Sequence, residues 1–147
     1  MLGRVLGWVC RLTLGGLFIY AGFTKLYPAE HRFLFEIALD TYQLLPAPAV
    51  IAVAFFLPWL EVALGVLLLG GWKLHYIATF ISALLAVFIG AMSITYARGI
   101  EANCGCFGFG EPITPTTLAR DGLMLAMAIF LARRAWRTRP LAAAPAD

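Results

Sequence analysis

Apolar side chains fall into four long runs along the chain. Each run approaches the roughly 20 residues that an α-helix needs to cross a ~30 Å hydrocarbon layer. The runs cover residues 5–26, 50–70, 74–96 and 115–136. In the fourth run Arg120 and Asp121 lie near one end, and the purely apolar part, 122–132, is too short to span a membrane without neighbouring helices. We therefore predict an all-α membrane protein, a four-helix transmembrane bundle formed by residues 1–136.

A shorter amphipathic pattern lies between the first and second runs, between Pro28 and Pro46. Charged or polar side chains recur there every three or four positions, at Arg32, Glu36, Asp40 and Gln43. The opposite face carries Leu34, Ile37, Ala38 and Leu45. This spacing predicts a short amphipathic helix that lies flat at the outer membrane surface and covers the end of the bundle.

The composition agrees with a chain surrounded by lipid. Hydrophobic residues make up 62% of the 147 residues and charged residues 13%, whereas soluble domains average nearly half and about a quarter. The length is that of a single domain. Composition therefore supports the membrane assignment and excludes an ordinary soluble domain.

Lys and Arg indicate which helix ends face the cytoplasm, because they accumulate in short cytoplasmic segments. Seven lie at the end of the bundle that includes both termini: Arg4, Arg11, Lys73, Arg133, Arg134, Arg137 and Arg139. The other end carries four: Lys25, Arg32, Arg98 and Arg120. This bias predicts cytoplasmic termini, with 137–147 as a disordered cytoplasmic tail. The net charge of +3 then faces anionic headgroups, and nucleic acid is not an expected partner.

Two of the three cysteines lie in the predicted outer loop before the fourth helix, as Cys104-Gly105-Cys106. Thiols in an oxidising compartment tend to form a disulfide or to react with redox partners. Gly105 permits the backbone angles that so small a ring requires, and strain makes such a bond easier to reduce. Redox exchange is the first hypothesis; the alternatives are a disulfide that only locks the turn, which would constrain little chain entropy, and a metal site.

The sequence predicts no metal site. Structural zinc takes four ligands, whereas His31 and His75 are expected on opposite sides of the membrane. Cys10 lies near the inner face, so it cannot reach the loop cysteines, and we interpret it as an apolar helix residue.

Glu61 lies near the middle of the second run, where an ionisable residue is expected to face the bundle interior and to pair. The candidate partners are Arg11, Arg120 and Asp121. Lys25, at the end of the first run, is expected to extend toward the headgroups. A structural ion pair, a protonated carboxyl, and a role toward protons or a quinone all remain open for Glu61.

Several segments together are typical of one family. They are the glycine-rich stretch 15–26, Leu57-Pro58-Trp59-Leu60-Glu61, Arg98-Gly99-Ile100, Cys104-Gly105-Cys106-Phe107-Gly108 and Leu118-Ala119-Arg120-Asp121. With these segments the chain resembles the MauE group of the DoxX-like membrane proteins over nearly its whole length. The Cys-Gly-Cys-Phe-Gly string with the later Arg-Asp is the most specific part of the resemblance.

The resemblance implies a multi-pass protein of the bacterial inner membrane that takes part in methylamine utilisation. It implies maturation of a disulfide-rich secreted enzyme, the small subunit of methylamine dehydrogenase or a similar client. A thioredoxin-like periplasmic partner is implied as well. Quinone-linked disulfide oxidases generally use two cysteine pairs, whereas this chain has one, so a complete internal relay is excluded.

Two functions are therefore compared. In the first, the chain is part of a thiol–disulfide oxidoreductase: Cys104 or Cys106 forms a mixed disulfide with a partner, and the other cysteine resolves it. Arg98 and the positive end of the fourth helix are the groups expected to lower a thiol pKa. In the second, the chain is a non-redox scaffold or assembly subunit of DoxX type. A quinone is the one cofactor that the sequence brings into consideration.

Overall fold

The computed structural model describes residues 1–107 and 110–139. Five helices follow one another: α1 (Leu2–Leu26), α2 (Glu30–Thr41), α3 (Ala47–Gly70), α4 (Leu74–Ala97) and α5 (Pro115–Thr138). The four long helices are each long and apolar enough to cross a membrane. The predicted fold class is confirmed, including the short helix after the first span. Helix α5 continues to Thr138, beyond the predicted start of the tail, and 140–147 lie outside the described residues.

Helices α1 and α3 approach each other closely because glycines line their contact. A Cβ atom at Gly65 would lie 2.7 Å from the carbonyl oxygen of Gly15 and 3.0 Å from the backbone nitrogen of Ile19. A Cβ atom at Gly22 would lie 2.5 Å from the carbonyl oxygen of Pro58. Small residues allow such approaches in membranes, where packing drives helix association. The contact brings the end of α1 beside the middle of α3.

The main core lies between the four spans and receives side chains from each of them. Its most buried members are Leu14 and Phe18 of α1, Leu64 and Leu68 of α3, Ala78 and Ile81 of α4, and Met124, Ala128 and Leu131 of α5. Because every span contributes, the bundle is closed around one apolar centre.

Helix α2 covers the end of the bundle that carries the α4–α5 loop. Phe35 and Leu39 of α2 are buried in a cluster with residues of α3, namely Val50, Ala54 and Leu57. The helix was predicted correctly, but the side chains that it buries differ from those of the predicted apolar face.

Of the four residues assigned to that face, Ala38 is buried, whereas Leu34 and Ile37 are 41% and 47% exposed and Leu45 is also exposed. The physical reason is that α2 has apolar residues on more than one side, and Phe35 and Leu39 are the ones that pack on α3. Periodicity alone does not tell which side meets the protein.

The α4–α5 loop folds back on itself before α5 begins. An isolated antiparallel bridge pairs Asn103 with Pro112. Between them Gly105 has a φ of +70°, and a Cβ atom there would lie 3.3 Å from the ring of Phe35. Gly105 therefore allows both the turn and the close cover by α2.

We expect Gly65→Ala to destabilise the bundle, because the added Cβ atom would collide with the backbone of α1 at Gly15. Overpacking of a tight contact costs roughly 1–3 kcal/mol, which should lower the aggregation temperature of the purified protein in detergent. Gly16→Ala is the matched control, since nothing lies within 4 Å of a Cβ atom at Gly16. Equal aggregation temperatures for the two variants would contradict the close approach of α1 and α3.

Candidate functional site

The two loop cysteines and a carboxylate of α5 meet at the end of the bundle that α2 covers. Cys104 is only 1% exposed and Cys106 is half-buried, and both are free thiols. Cys106 Sγ lies 3.5 Å and Cys104 Sγ 3.8 Å from the same oxygen, Asp121 Oδ2. Cys104 Sγ also lies 3.5 Å from the thioether sulfur of Met92. Asp121 is thus placed to accept a hydrogen bond from either thiol.

Arg120 brings a positive charge to this site. Its Nη2 lies 3.7 Å from Cys104 Sγ, and its Nε donates a hydrogen bond to Asp121 Oδ1 at 3.1 Å. Nη1 donates to the carboxylate of Glu111 at 2.8 Å, and the guanidinium lies over the ring of Phe107, 4.7 Å from its centroid. Two carboxylates therefore hold Arg120 where its charge stabilises a thiolate at Cys104.

Arg98 occupies a different place from the one that its predicted role requires. Its Nη1 donates to the backbone oxygen of Tyr42 at 3.2 Å, and no hydrogen bond between Arg98 and a sulfur is found among the described residues. The cation beside the Cys104 thiol is Arg120. From the sequence, Arg120 was expected only as a possible partner of Glu61. The sequence feature that could have indicated this role is the position of Arg120 soon after Pro115, where α5 begins. The first turns of a helix lie close to the loop before it.

The two thiols differ in pKa because their side chains interact with each other. This interaction lowers the pKa of Cys104 and raises the pKa of Cys106 well above its usual value. Burial and the charge of Asp121 act to raise both pKa values, while Arg120 favours the Cys104 thiolate. Cys104 is therefore the thiol that ionises first, and Cys106 stays protonated.

Tyr42, just after α2, fixes the backbone of the cysteine loop. Its hydroxyl donates to the carbonyl oxygen of Cys104 at 2.9 Å and lies 3.1 Å from that of Asn103. Burial, followed by the charges of Cys104, Cys106 and Asp121, raises the pKa of Tyr42. The hydroxyl therefore stays protonated and remains a donor.

A buried ion pair connects the loop to α1 and α3. Lys25 is 1% exposed, and its Nζ donates to Glu61 Oε2 at 2.8 Å and to the backbone oxygen of Cys106 at 3.0 Å. A further hydrogen bond runs from Nζ to the carbonyl oxygen of Ala21 at 3.3 Å. The ammonium group thus has three partners inside the protein, as a charge buried at this depth requires.

This pairing corrects two expectations from the sequence. Lys25 does not extend to the headgroups, and the partner of Glu61 is Lys25 rather than Arg11, Arg120 or Asp121. Arg11 lies about 21 Å from Lys25 along α1 and donates to the last carbonyls of α3 instead. Glu61 does face the interior, as predicted, with its side chain 13% exposed.

Cys104, Cys106 and Asp121 are the described side chains that come closest to forming a metal site, with ligand atoms within 4.8 Å of one another. Asp121 was not expected here, because only cysteines and histidines were considered as metal ligands from the sequence. Two thiolates and one carboxylate leave a tetrahedral zinc site one protein ligand short.

An apolar groove of about 700 Å³ runs between α3 and α4. Leu57, Leu84 and Phe88 line it and also line a small cavity of about 40 Å³ that reaches Cys106. The quinone considered from the sequence stays untested by these cavities.

The fold and the site define a class: a multi-pass α-helical membrane protein with a pair of neighbouring thiols, one buried and one half-buried, at one end of its bundle. The sequence model of the family described as "Methylamine utilisation protein MauE" matches residues 3–134. The chain therefore belongs to the MauE family, and the resemblance to the MauE group found from the sequence is confirmed.

Individual relatives agree with this assignment. Methylamine utilization protein MauE of Paracoccus denitrificans is 32% identical over 128 residues, which are 85% of this chain and 67% of the relative. The protein of the same name from Paracoccus versutus is 32% identical over 136 residues, 90% of this chain and 72% of the relative. Protein TlpB of Flavobacterium psychrophilum is 32% identical over 120 residues, but these are only 31% of its length. No solved structure matches the chain.

Removing one partner of the buried ion pair should destabilise the protein more than removing both. Lys25→Met leaves the Glu61 carboxylate uncompensated, Glu61→Leu does the same to the ammonium group, and such losses cost about 3–5 kcal/mol. The double variant K25M/E61L should recover much of the lost aggregation temperature in detergent, because it buries no unpaired charge. If the aggregation temperature of the double variant falls by the sum of the two decreases in the single variants, the two side chains are not coupled.

Proposed function

We propose that this protein exchanges disulfides with a partner protein through Cys104 and Cys106. The observation that supports the proposal best is the different setting of the two sulfurs: Cys106 is partly exposed, whereas Cys104 is buried beside the guanidinium of Arg120. A half-buried cysteine next to a fully buried one that a cation stabilises is an arrangement suited to thiol–disulfide exchange.

The exchange begins from the Cys104–Cys106 disulfide. A partner thiolate attacks Cys106 Sγ, the bond between the two sulfurs breaks, and Cys104 leaves as a thiolate facing Arg120. A low thiol pKa makes a better leaving group, and Cys104 has the lower pKa of the two. Attack on the other sulfur would need a partner to reach a side chain that is 1% exposed.

The second cysteine of the partner then attacks the mixed disulfide, and Cys106 leaves. The partner gains a disulfide, and two electrons have passed to this protein, in which both cysteines are now reduced, Cys104 as the thiolate facing Arg120. One of the two protons released by the partner's thiols is taken up by Cys106, and the other goes to water. Asp121, 3.5 Å from Cys106 Sγ, is the proton acceptor when the reverse reaction removes that proton.

The relatives suggest the setting of this exchange. Two of them are named for methylamine utilization, so we infer a role in maturing a disulfide-rich secreted enzyme, the small subunit of methylamine dehydrogenase or a similar client. A thioredoxin-like periplasmic protein is the proposed partner. The alternative is a scaffold or assembly subunit in which the cysteine pair is a structural disulfide.

Cys104→Ser should trap a partner in a mixed disulfide more strongly than Cys106→Ser does. The first variant leaves the accessible sulfur without its resolving thiol, whereas the second leaves only a buried one. Alkylation of intact cells followed by non-reducing electrophoresis would measure the reductant-sensitive species of higher mass. Both variants should be made in a Cys10→Ser background, so that the trapped bond can form only in the loop.

A variant that lacks both loop cysteines is the control and should trap nothing. Single variants that trap no partner while client disulfides form normally would favour the scaffold instead. Stronger trapping by Cys106→Ser would reverse the roles proposed for the two sulfurs.

The exchange further requires that the cysteine loop face the periplasm, which we infer from the seven cations against four at the two ends of the bundle. Alkaline phosphatase fused after Ile100, in the loop after α4, should be active in bacteria. The same enzyme fused after Arg139 should be inactive, whereas green fluorescent protein at that position should fluoresce. The opposite pattern would place the thiols in the reducing cytoplasm and overturn the proposed function.

A further inference from the structure

The end of the bundle opposite the thiols carries only positive charge among the described residues. Helix α1 begins there, α3 ends, α4 begins and α5 ends. The cations at this end are Arg4, Arg11, Lys73, Arg133, Arg134, Arg137 and Arg139. Seven of the eight acidic residues are described, and all of them lie in α2, in the α4–α5 loop, or on α3 and α5 toward the thiols: Glu30, Glu36, Asp40, Glu61, Glu101, Glu111 and Asp121.

Three of these cations converge on one pocket. The pocket has a volume of about 170 Å³ and lies between α1, the start of α4 and the last turns of α5. Arg4, Arg11 and Arg134 line it together with Trp8 and Thr138. A concave site with three guanidinium groups and no lining carboxylate among the described residues requires a negatively charged occupant.

Two of the three guanidinium groups are held in place by the protein. Arg134 Nη1 donates to the backbone oxygen of Gly3 at 2.6 Å. Arg11 Nε donates to the carbonyl oxygen of Leu68 at 2.6 Å, and its guanidinium lies over the ring of Trp8, 4.6 Å from the centroid. Each guanidinium has five N–H donors, so donors remain for a ligand. The pocket is therefore organised before any anion arrives.

The surroundings of the pocket indicate where its anion comes from. Leu74 and Leu131 also line it, and on α1 the neighbouring side chains Leu2, Val5 and Val9 are exposed. A phosphate bound by the arginines would thus have an apolar helix face directly beside it, as the phosphate of a membrane lipid requires. Basic pockets between membrane helices are typical sites for acidic headgroups.

We propose that this pocket binds the phosphate of an anionic phospholipid, with the acyl chains lying along the exposed apolar face of α1. The arginines donate charge-assisted hydrogen bonds to the phosphate oxygens, and Trp8 lies at the level of the headgroups, where tryptophan is favoured. The site is at the opposite end of the bundle from the thiols, so the proposal does not depend on disulfide exchange.

Native mass spectrometry of the full chain in mild detergent tests the proposal, with phosphatidylglycerol and phosphatidylcholine as probes. The protein should retain phosphatidylglycerol in preference to phosphatidylcholine. The double variant R4Q/R134Q should lower the apparent affinity for phosphatidylglycerol roughly thirtyfold, since each arginine near an anionic headgroup contributes about 1 kcal/mol. Arg4→Gln alone should give a smaller loss, and since Arg4 is exposed, this variant is expected to fold even if the double variant does not.

R133Q/R137Q is the matched control. It removes the same charge from the same end of the bundle, but these two arginines line a separate groove with Trp136, so affinity should change less than twofold. Equal losses in both double variants would mean diffuse attraction to the whole basic end and would overturn the proposal. Equal retention of the two lipids would overturn it as well. Displacement of phosphatidylglycerol by inorganic phosphate at equal concentration would assign the pocket to a free anion instead.

Discussion

The arrangement of the candidate redox site depends on a positive charge that cannot be left unpaired inside the bundle. Lys25 is compensated by the carboxylate of Glu61 and by the backbone oxygen of Cys106. A buried charge without partners costs several kcal/mol. The relative positions of α1, α3 and the cysteine loop are therefore those in which the Lys25 ammonium group reaches both of its partners. The glycine contact between α1 and α3 makes these positions sterically accessible.

The sequence predicted those features of the structure that can be read from one continuous segment of the chain. Four apolar runs gave the four spans to within a few residues, because the thickness of a bilayer sets the length of each helix. The loop cysteines were identified as the candidate chemistry from their spacing alone. The burial of Glu61 was also predicted, since a carboxyl in the middle of an apolar run has few alternatives.

The sequence could not predict which groups meet between different elements. Glu61 and Lys25 lie on separate helices 36 positions apart, and Lys25 near a helix end is equally compatible with an extended conformation toward water. The choice between Arg98 and Arg120 as the cation near the thiols depended on how the loop folds back onto α5. Likewise, the buried side of α2 follows from where the loop leaves room for Phe35.

The backbone around the two loop cysteines is ordered when the chain folds, before any partner protein binds. Tyr42 and Lys25 hold the carbonyl oxygens of Cys104 and Cys106, and α2 covers the residue between them. Ordering a residue costs about 1–2 kcal/mol of conformational entropy, and here that loss occurs once, when the chain folds. An approaching protein then meets sulfurs whose loop is already ordered, so only the approaching segment has to give up its freedom at each encounter.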